Sequence, residues 1–390
     1  MKLLIVSDMP HYQTQKGQIV GWGPTVQEID HLATLFDEIW HVAFLYPGMP
    51  PESMLAYCSP KVTFIPLRPS GGPSLWDKLE ILFRASGYFA TIFQFLARAD
   101  VLHVRTPSSV GLLLMLLLVV LPFPKHRWFK YAGNWQPDSP DALAYRLQRF
   151  WLNLGWHRGV VTVNGCWPRQ PPHVLSFLNP SLYSQSLVSG QKAAAEKNLE
   201  APVQLLFVGR VETAKGTGRI LDICQRLDAK GLDFELNIIG DGPERPVFEQ
   251  RVQMLGLARK IRFHGWLPHI SLLPFYGQAH FILLPTTASE GWPKVLSEGM
   301  AFGAVPLAGA VSSIPQILQD LKTGQALPSA DVIGFAAAIQ GYIAQPKRWK
   351  AESLAGVSAA SRFSFESYLA RVRRMFHDEW QINLRDENEH

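Results

Sequence analysis

The sequence has little cysteine, and the spacing of its cysteines excludes two kinds of site. Only 3 cysteines occur in 390 residues, at Cys58, Cys166 and Cys224. They are odd in number and far apart, without the paired spacings of a zinc site or a disulfide framework. We therefore expect ordinary thiols in a reducing compartment.

Long apolar runs are also absent. The longest, residues 110–122, is shorter than the roughly 20 residues of a membrane span, and we expect a buried helix there. Residues 1–7 contain a short apolar run that is followed at once by Asp8, which indicates a strand rather than a signal peptide. These patterns predict a cytoplasmic protein.

Charge is low and mixed in sign. Charged residues make up 18% and hydrophobic residues 47%, which excludes a disordered chain. The formal charge of +5 fits an anionic substrate or an anionic membrane surface. Basic residues are scattered and no nucleic-acid-binding module is recognisable, so we expect no nucleic-acid partner.

Strand-like and helix-like segments alternate along the chain, which predicts an α/β fold with parallel sheets covered by helices. The alternation extends over residues 1–180, although it weakens in the proline-rich stretch 168–180. After a small, polar stretch at 189–201 it restarts at 203. We expect two doubly wound, Rossmann-like domains, 1–180 and 181–364, with a C-terminal helix at about 365–382 packing back on the first. Two such domains facing a central cleft would bind ligand at the carboxyl ends of both sheets.

Two carboxylates eight positions apart mark a turn-to-helix junction in the second domain. Glu290 follows a predicted strand at 281–285, and Glu298 lies in a helix that we expect to begin with Pro293 and run to Gly303. Exposed N–H groups at such a helix start suit a phosphate, while the carboxylates suit sugar hydroxyls. A nucleotide sugar offers both groups. The alternative is a pair of solvated carboxylates.

Three other loops follow predicted strands of the same sheet. The loop after strand 203–208 contains Gly209, Arg210 and Lys215, the cations of a diphosphate clamp. Gly240 and the pair Gly265-Trp266 end the next two strands. The alternatives are solvated cations and simple strand-to-helix turns.

These segments, in this order over residues 203–326, resemble glycosyltransferase family 4, the retaining transferases with the GT-B fold. The resemblance implies that Arg210 and Lys215 hold the donor diphosphate, that Glu298 binds the ribose and that Glu290 contacts the transferred sugar. It makes Glu290, Arg210 and Lys215 the catalytic residues. The rest of the implied donor site is Gly23, Gly209, Gly240, Gly265, Trp266, Gly291, Trp292, Pro293, Lys294 and Val295.

The resemblance implies no cofactor besides the nucleotide-sugar substrate. No Asp-x-Asp motif occurs, and the two cations can neutralise the leaving diphosphate, so we expect no metal. The alternatives are a GT-B-fold sugar-nucleotide epimerase, a phosphorylase, or a non-catalytic subunit that binds a nucleotide sugar.

The first domain matches the family less well. Gly21, Trp22 and Gly23 are similar to the family's glycine-rich loop, which faces the diphosphate and the acceptor. Where many members carry a histidine after a strand, this chain has Asn134. We assign Gly21, Trp22, Asn134 and His103 to the acceptor side, although packing in its strand also accounts for His103.

The acceptor is expected to be a sugar or a lipid-linked sugar. A basic segment, Lys125 to Arg127, and a helix rich in aromatic residues including Phe83, Tyr88 and Phe93 suggest peripheral association with the inner membrane face. The alternative is that these aromatic residues pack in the core. The implied role is synthesis of a cell-surface polysaccharide or glycolipid. Donor sugar, base and oligomeric state stay open.

Overall fold

The computed structural model describes residues 1–70, 75–137, 141–288 and 290–385, with the side chains of residues 75–82 also outside the description. Ser289, the first residue of the Glu290 motif, therefore lies outside the described residues. The chain divides into two compact units. Unit 1 is Met1–Phe177 together with the chain from Tyr368, and unit 2 is Leu178–Ser367.

Unit 1 is built on a mainly parallel sheet. Its parallel strands run in the order β5-β3-β1-β6-β7-β8-β9. Strand β2 pairs antiparallel with the end of β1, and β4 pairs antiparallel with β2. The strands are β1 (Lys2–Gln13), β2 (Ile19–Trp22), β3 (Glu38–Leu45), β4 (Met54–Ala56), β5 (Val62–Leu67), β6 (Val101–Thr106), β7 (His126–Tyr131), β8 (Val160–Asn164) and β9 (Val174–Phe177).

Four helices of unit 1 connect these strands: α1 (Gly23–Leu32), α2 (Leu75–Leu96), α3 (Ser109–Leu117) and α4 (Leu143–Leu154). Tyr88 of α2, Leu114 of α3 and Leu152 of α4 pack in the core on one face of the sheet. The prediction of a wholly buried helix at 110–122 is wrong. Helix α3 ends at Leu117, and the turn after it leaves Val120 75% exposed.

Unit 2 is built on a fully parallel sheet in the order β12-β11-β10-β13-β14-β15. Its strands are β10 (Val203–Val208), β11 (Phe234–Ile239), β12 (Ile261–Gly265), β13 (Phe281–Leu284), β14 (Val305–Gly309) and β15 (Gln325–Leu327). Numbered along the chain this is 3-2-1-4-5-6, so the strand order reverses between β10 and β13. Ligands of doubly wound sheets bind outside the carboxyl ends of the strands at such a reversal.

The helices that cover the unit 2 sheet are α5 (Ser184–Glu196), α6 (Thr217–Ala229), α7 (Arg245–Met254), α8 (His269–Gln278), α9 (Lys294–Ala301), α10 (Ile314–Leu321), α11 (Val332–Ala344) and α12 (Pro346–Ala359). Two expectations are wrong. Helix α9 begins at Lys294, because Pro293 is extended (φ −70°, ψ 119°) and precedes it. The sequence suggested a small, polar linker from residue 189, but residues 184–196 form helix α5.

Helix α13 (Phe365–Trp380) carries the chain from unit 2 back to unit 1. Its buried residues Tyr368, Val372 and Phe376 pack with Leu3 of β1 and Ile29 of α1. The core on this second face of the unit 1 sheet therefore combines the two ends of the sequence.

Candidate functional site

The two loops at the strand reversal of unit 2 meet through an ion pair. The loop after β10 carries Lys215, and the loop after β13 carries Glu290. The Lys215 ammonium contacts a carboxylate oxygen of Glu290 directly. Two residues that the sequence singled out separately, 75 positions apart along the numbering, are thus side by side at the expected ligand edge of the sheet.

Backbone contacts hold these loops together. The carbonyl of Ala214 accepts the Thr287 N–H at 2.9 Å. Gly216, which precedes α6, has φ +95°, and a Cβ there would lie 2.4 Å from the carbonyl oxygen of Pro285. Only glycine tolerates both the conformation and the approach. These backbone contacts therefore hold in place the two loops that carry the ion pair.

Arg219 of α6 bridges the same two loops. Its Nε donates to the carbonyl of Pro285 at 2.7 Å, and a terminal nitrogen donates to the carbonyl of Thr213 at 3.1 Å. The sequence analysis missed this residue, because an arginine in the first turn of a helix carries no motif of its own.

Lys215 and Arg210 share one loop but differ in environment. The Lys215 side chain is only 17% exposed, and burial lowers its pKa to about 8, with the charge of Arg210 acting in the same direction. Arg210 is 62% exposed and pairs with Glu212 at 3.2 Å. The loop thus presents one half-buried and one exposed cation, both with carboxylate partners that an anionic ligand could displace.

Glu298 lies in the second turn of α9 and is 9% exposed. The hydroxyl of Tyr276 in α8 donates to its Oε2 at 2.7 Å. Burial next to this carboxylate raises the pKa of Tyr276 well above its ordinary value, so the phenol stays protonated and donates. Sequence reasoning missed Tyr276, although a buried tyrosine hydroxyl requires a partner.

The segment entering α9 is fixed from several sides. The carbonyl of Gly291 accepts a hydrogen bond from Ser313 Oγ at 2.5 Å. The Trp292 ring is 2% exposed and stacks on Phe363 with centroids 5.3 Å apart. Trp292 can therefore serve a ligand only through its backbone. Pro293 has no N–H, which leaves the N–H groups of Lys294 and Val295 in the first turn.

Three glycines end adjacent strands of the same sheet. The N–H of Gly240 donates to the carbonyl of Gly265 at 2.8 Å, and that of Gly209 donates to the carbonyl of Ile239 at 2.9 Å. A Cβ on Gly240, whose φ is +126°, would lie 2.0 Å from the carbonyl oxygen of Gly209. The strand ends are therefore packed backbone to backbone. Trp266 follows them and is half-buried.

The acceptor-side residues of unit 1 are placed differently from the prediction. Gly21 and Trp22 lie on strand β2 and only Gly23 opens α1, so the predicted loop is wrong. The reason is that β1 continues past Ser7 to Gln13 and pairs with β2, which brings Gly21 opposite His11.

Asn134 and His103 are both buried. Asn134 Oδ1 accepts the Gln136 N–H at 3.2 Å. His103 lies on β6 with its ring centroid 3.9 Å from that of Trp128, and burial lowers its pKa well below the usual value. Burial thus favours a neutral imidazole at His103, packed against Trp128.

Two features are absent from the described ranges. In these ranges, no three or more His, Cys, Asp or Glu side chains cluster as metal ligands would. Likewise, none of the helices described there combines the length and apolarity needed to cross a bilayer.

Part of the chain matches a known protein family. Residues 190–354 match the sequence model of the family Glycosyl transferases group 1. The putative colanic acid biosynthesis glycosyltransferase WcaL of Salmonella typhimurium is 27% identical over 146 residues, which is 36% of this chain and 36% of that protein. The chain spans between about a third and a half of the length of the curated relatives it matches.

Solved structures extend the likeness over the whole chain. Sucrose-phosphate synthase from Thermosynechococcus elongatus aligns with TM-score 0.71 and 17% identity, covering 98% of this chain and 99% of that one. HepE of Anabaena in complex with UDP-glucose aligns with TM-score 0.66 and 14% identity, covering 97% and 100%. The predicted α/β fold class and the predicted resemblance to GT-B glycosyltransferases are confirmed.

Proposed function

We propose that the chain transfers a sugar from a nucleotide-diphosphate sugar to an acceptor hydroxyl, because residues 190–354 match the family Glycosyl transferases group 1 and the chain has the GT-B fold. The observation that carries the proposal is the Lys215–Glu290 pair at the strand reversal of unit 2. It joins a cation for phosphate and a carboxylate for sugar hydroxyls. HepE, which aligns over nearly the whole chain, binds UDP-glucose, a donor of this class.

In the proposed complex the diphosphate lies against Lys215, Arg210 and the first-turn N–H groups of α9. Glu298, oriented by Tyr276, accepts from the ribose hydroxyls, and Glu290 accepts from the sugar. As the bond between the anomeric carbon and the phosphate oxygen breaks, negative charge grows on the phosphate. Cations already fixed there stabilise the transition state more than the ground state.

We further propose that transfer retains the anomeric configuration and needs no metal. The acceptor oxygen bonds to the anomeric carbon on the face that the diphosphate leaves, and the acceptor proton passes to the departing phosphate. The two cations of the loop after β10 supply the charge that a divalent ion supplies elsewhere. The roles of Gly21, Trp22, Gly23 and Asn134 in unit 1 stay predictions.

The biological role that we propose is synthesis of a cell-surface polysaccharide or glycolipid, with a sugar or lipid-linked acceptor and peripheral membrane association. Its support is the relative WcaL, which is named for colanic acid biosynthesis.

The test is a screen of uridine, guanosine and adenosine diphosphates and their common sugars for thermal stabilisation of the purified protein, without added metal. We expect one nucleotide sugar to raise the melting temperature. Arg210→Ala should weaken donor binding and transfer together. Glu290→Gln also removes the partner of Lys215, but the diphosphate supplies that ammonium with negative charge, so nucleotide binding should persist. Transfer should fall by a factor of about 100 or more, because the contact with the sugar is altered.

Arg262→Ala is the matched control for Arg210→Ala. Arg262 is also 62% exposed, and it pairs with a carboxylate, Glu235, at 3.9 Å. Equal activity of Arg210→Ala and Arg262→Ala, or an active Glu290→Gln, would refute the assigned roles. No stabilisation by any nucleotide sugar would refute the donor class.

A further inference from the structure

Helix α4 exposes an apolar stripe to solvent. Leu143, Leu147, Phe150 and Leu154 are 76%, 43%, 59% and 44% exposed. Their spacing of four, three and four positions puts them on one side of the helix. The buried residues Gln148 and Leu152 lie on the opposite side. The helix is thus apolar on its outer side, the reverse of an ordinary surface helix.

The apolar surface continues beyond the helix. The buried guanidinium of Arg127 donates to the carbonyl of Leu118 at 2.8 Å and to that of His157 at 3.2 Å. It thereby holds the turn after α3 beside the loop after α4. Val120 in that turn and Trp156 in that loop are 75% and 53% exposed. We call this surface, formed by the stripe, Val120 and Trp156, the α4 face.

Cations border the α4 face, and acidic residues are lacking in its sequence. Residues 142–195 contain no Asp or Glu. Arg146, Arg158 and Arg169 are exposed within that range. The neighbouring Asp141 is neutralised by a two-pronged pair with Arg149 at 2.6 and 2.8 Å.

A groove also opens along α4. Its volume is about 900 Å³, and its lining combines apolar residues with arginines: Trp135, Leu147, Phe150, Arg146, Arg149 and Arg169. Apolar walls beside guanidinium groups suit an anionic headgroup attached to acyl chains.

We propose that the α4 face docks on an anionic lipid bilayer, with the stripe in the acyl boundary and the arginines among the headgroup phosphates. The proposal rests on the proposed function only in that a lipid-linked acceptor would lie in such a bilayer. A bilayer satisfies the apolar and the cationic parts together. A twofold contact with a second copy would instead set the same arginines against each other.

Vesicle flotation tests the proposal. We expect the full chain to float with phosphatidylcholine vesicles containing about one third phosphatidylglycerol, and not with phosphatidylcholine alone. Raised salt should weaken the binding. The double variant Leu147→Ser, Phe150→Ser should lose flotation. Its control is Met254→Ser, Ile333→Ser, which changes residues of unit 2 that are 73% and 62% exposed.

A second pair of variants tests the charge. Arg146→Gln with Arg158→Gln should lower the partition coefficient about 25-fold, at about fivefold per cation. Arg226→Gln with Arg259→Gln removes two exposed arginines of unit 2 and should change it less than twofold. Failure of the wild type to float at low salt, or equal losses in both pairs, would overturn the proposal.

Two accompanying measurements separate the alternatives. If the wild type does not float but sediments as a dimer, and Phe150→Ser abolishes the dimer, the α4 face would be assigned to a second copy. Thermal stabilisation by the nucleotide sugar should persist in all four variants. Its absence from the wild type would refute the proposed function while leaving the flotation result standing.

Discussion

At the scale of single residues, the contact between Lys215 and Glu290 gives a half-buried ammonium its counter-charge. An isolated charge in that position would be strongly disfavoured, and the carboxylate offsets part of that cost. A diphosphate brings more negative charge to the same ammonium. In the proposed complex, donor binding would therefore replace one partner of Lys215 with another and free Glu290 for the sugar.

The pH dependence of donor binding follows from the same residue. The pKa of Lys215 is lowered to about 8 by burial, so the ammonium is present below that pH and lost above it. We expect the affinity for the nucleotide sugar to fall about tenfold between pH 7 and pH 9. Calorimetric titration of the wild type and of Lys215→Arg measures this.

Arginine keeps its charge throughout this range, so Lys215→Arg should bind with an affinity that is nearly independent of pH. A wild-type affinity that stays constant to pH 9 would show that the charge of Lys215 does not hold the diphosphate.

At the scale of elements, the start of α6 positions the loops that carry the ion pair. Arg219 contacts the carbonyls of both Thr213 and Pro285. Its hydrogen bonds go to backbone carbonyls of the two loops, so we propose a positioning role for it. Its effect on binding should act through the geometry of Lys215 and Glu290.

We expect Arg219→Met to weaken nucleotide-sugar binding about tenfold and to lower the free energy of unfolding by about 2 kcal/mol, because carbonyls lose charged donors. Arg226→Met, at an exposed position of the same helix, should change neither. Arg219→Lys should retain part of the affinity that Arg219→Met loses. A lower free energy of unfolding with unchanged affinity for the nucleotide sugar would show that Arg219 has only a structural role.

Much of the sheet architecture was predictable from the sequence. Apolar runs followed by glycine indicate β10, β11 and β12. Because parallel strands end at one edge, the sequence predicted that Arg210, Lys215 and Glu290 lie at the same edge of the sheet. Helix α5 was missed because its buried face consists of Ser186, Gly190 and Ala194.

Small residues produce no apolar periodicity, yet they allow close packing. A Cβ on Gly190 would lie 2.2 Å from the carbonyl oxygen of Ala301. Strand β2 was missed for a related reason. It contains a glycine and pairs with a polar extension of β1, so the pairing, which is a tertiary contact, decides its conformation. The partner of Glu298, Tyr276, also lies too far along the chain for local patterns to reveal.

At the scale of the whole molecule, a buried ionic cluster joins the two ends of the sequence in unit 1. Glu28 of α1 is 2% exposed and accepts from Lys130 Nζ at 2.7 and 2.8 Å. Arg105 donates to the same carboxylate at 2.9 Å, and the Tyr368 hydroxyl of α13 donates at 3.0 Å. One carboxylate thus serves as the counter-ion of two cations and binds the returning helix.

Removal of this charge should destabilise unit 1 strongly. Glu28→Gln leaves Lys130 and Arg105 without their counter-charge in the interior, which costs about 3–5 kcal/mol. Urea unfolding measures the loss. The control is Glu38→Gln, whose pair with Lys2 at 3.4 Å is exposed and should contribute less than about 1 kcal/mol. Similar small effects in both variants would contradict the structural role of the cluster.

The return of α13 to unit 1 also sets the order in which the chain can fold during synthesis. Translation proceeds from the N-terminus, and domains generally fold as units while it does so. The core of unit 2 is complete once residue 363 has left the ribosome. Unit 1, although translated first, lacks Tyr368, Val372 and Phe376 until α13 emerges. The core of unit 1 around Leu3 and Ile29 therefore stays incomplete until translation has passed through unit 2 and α13.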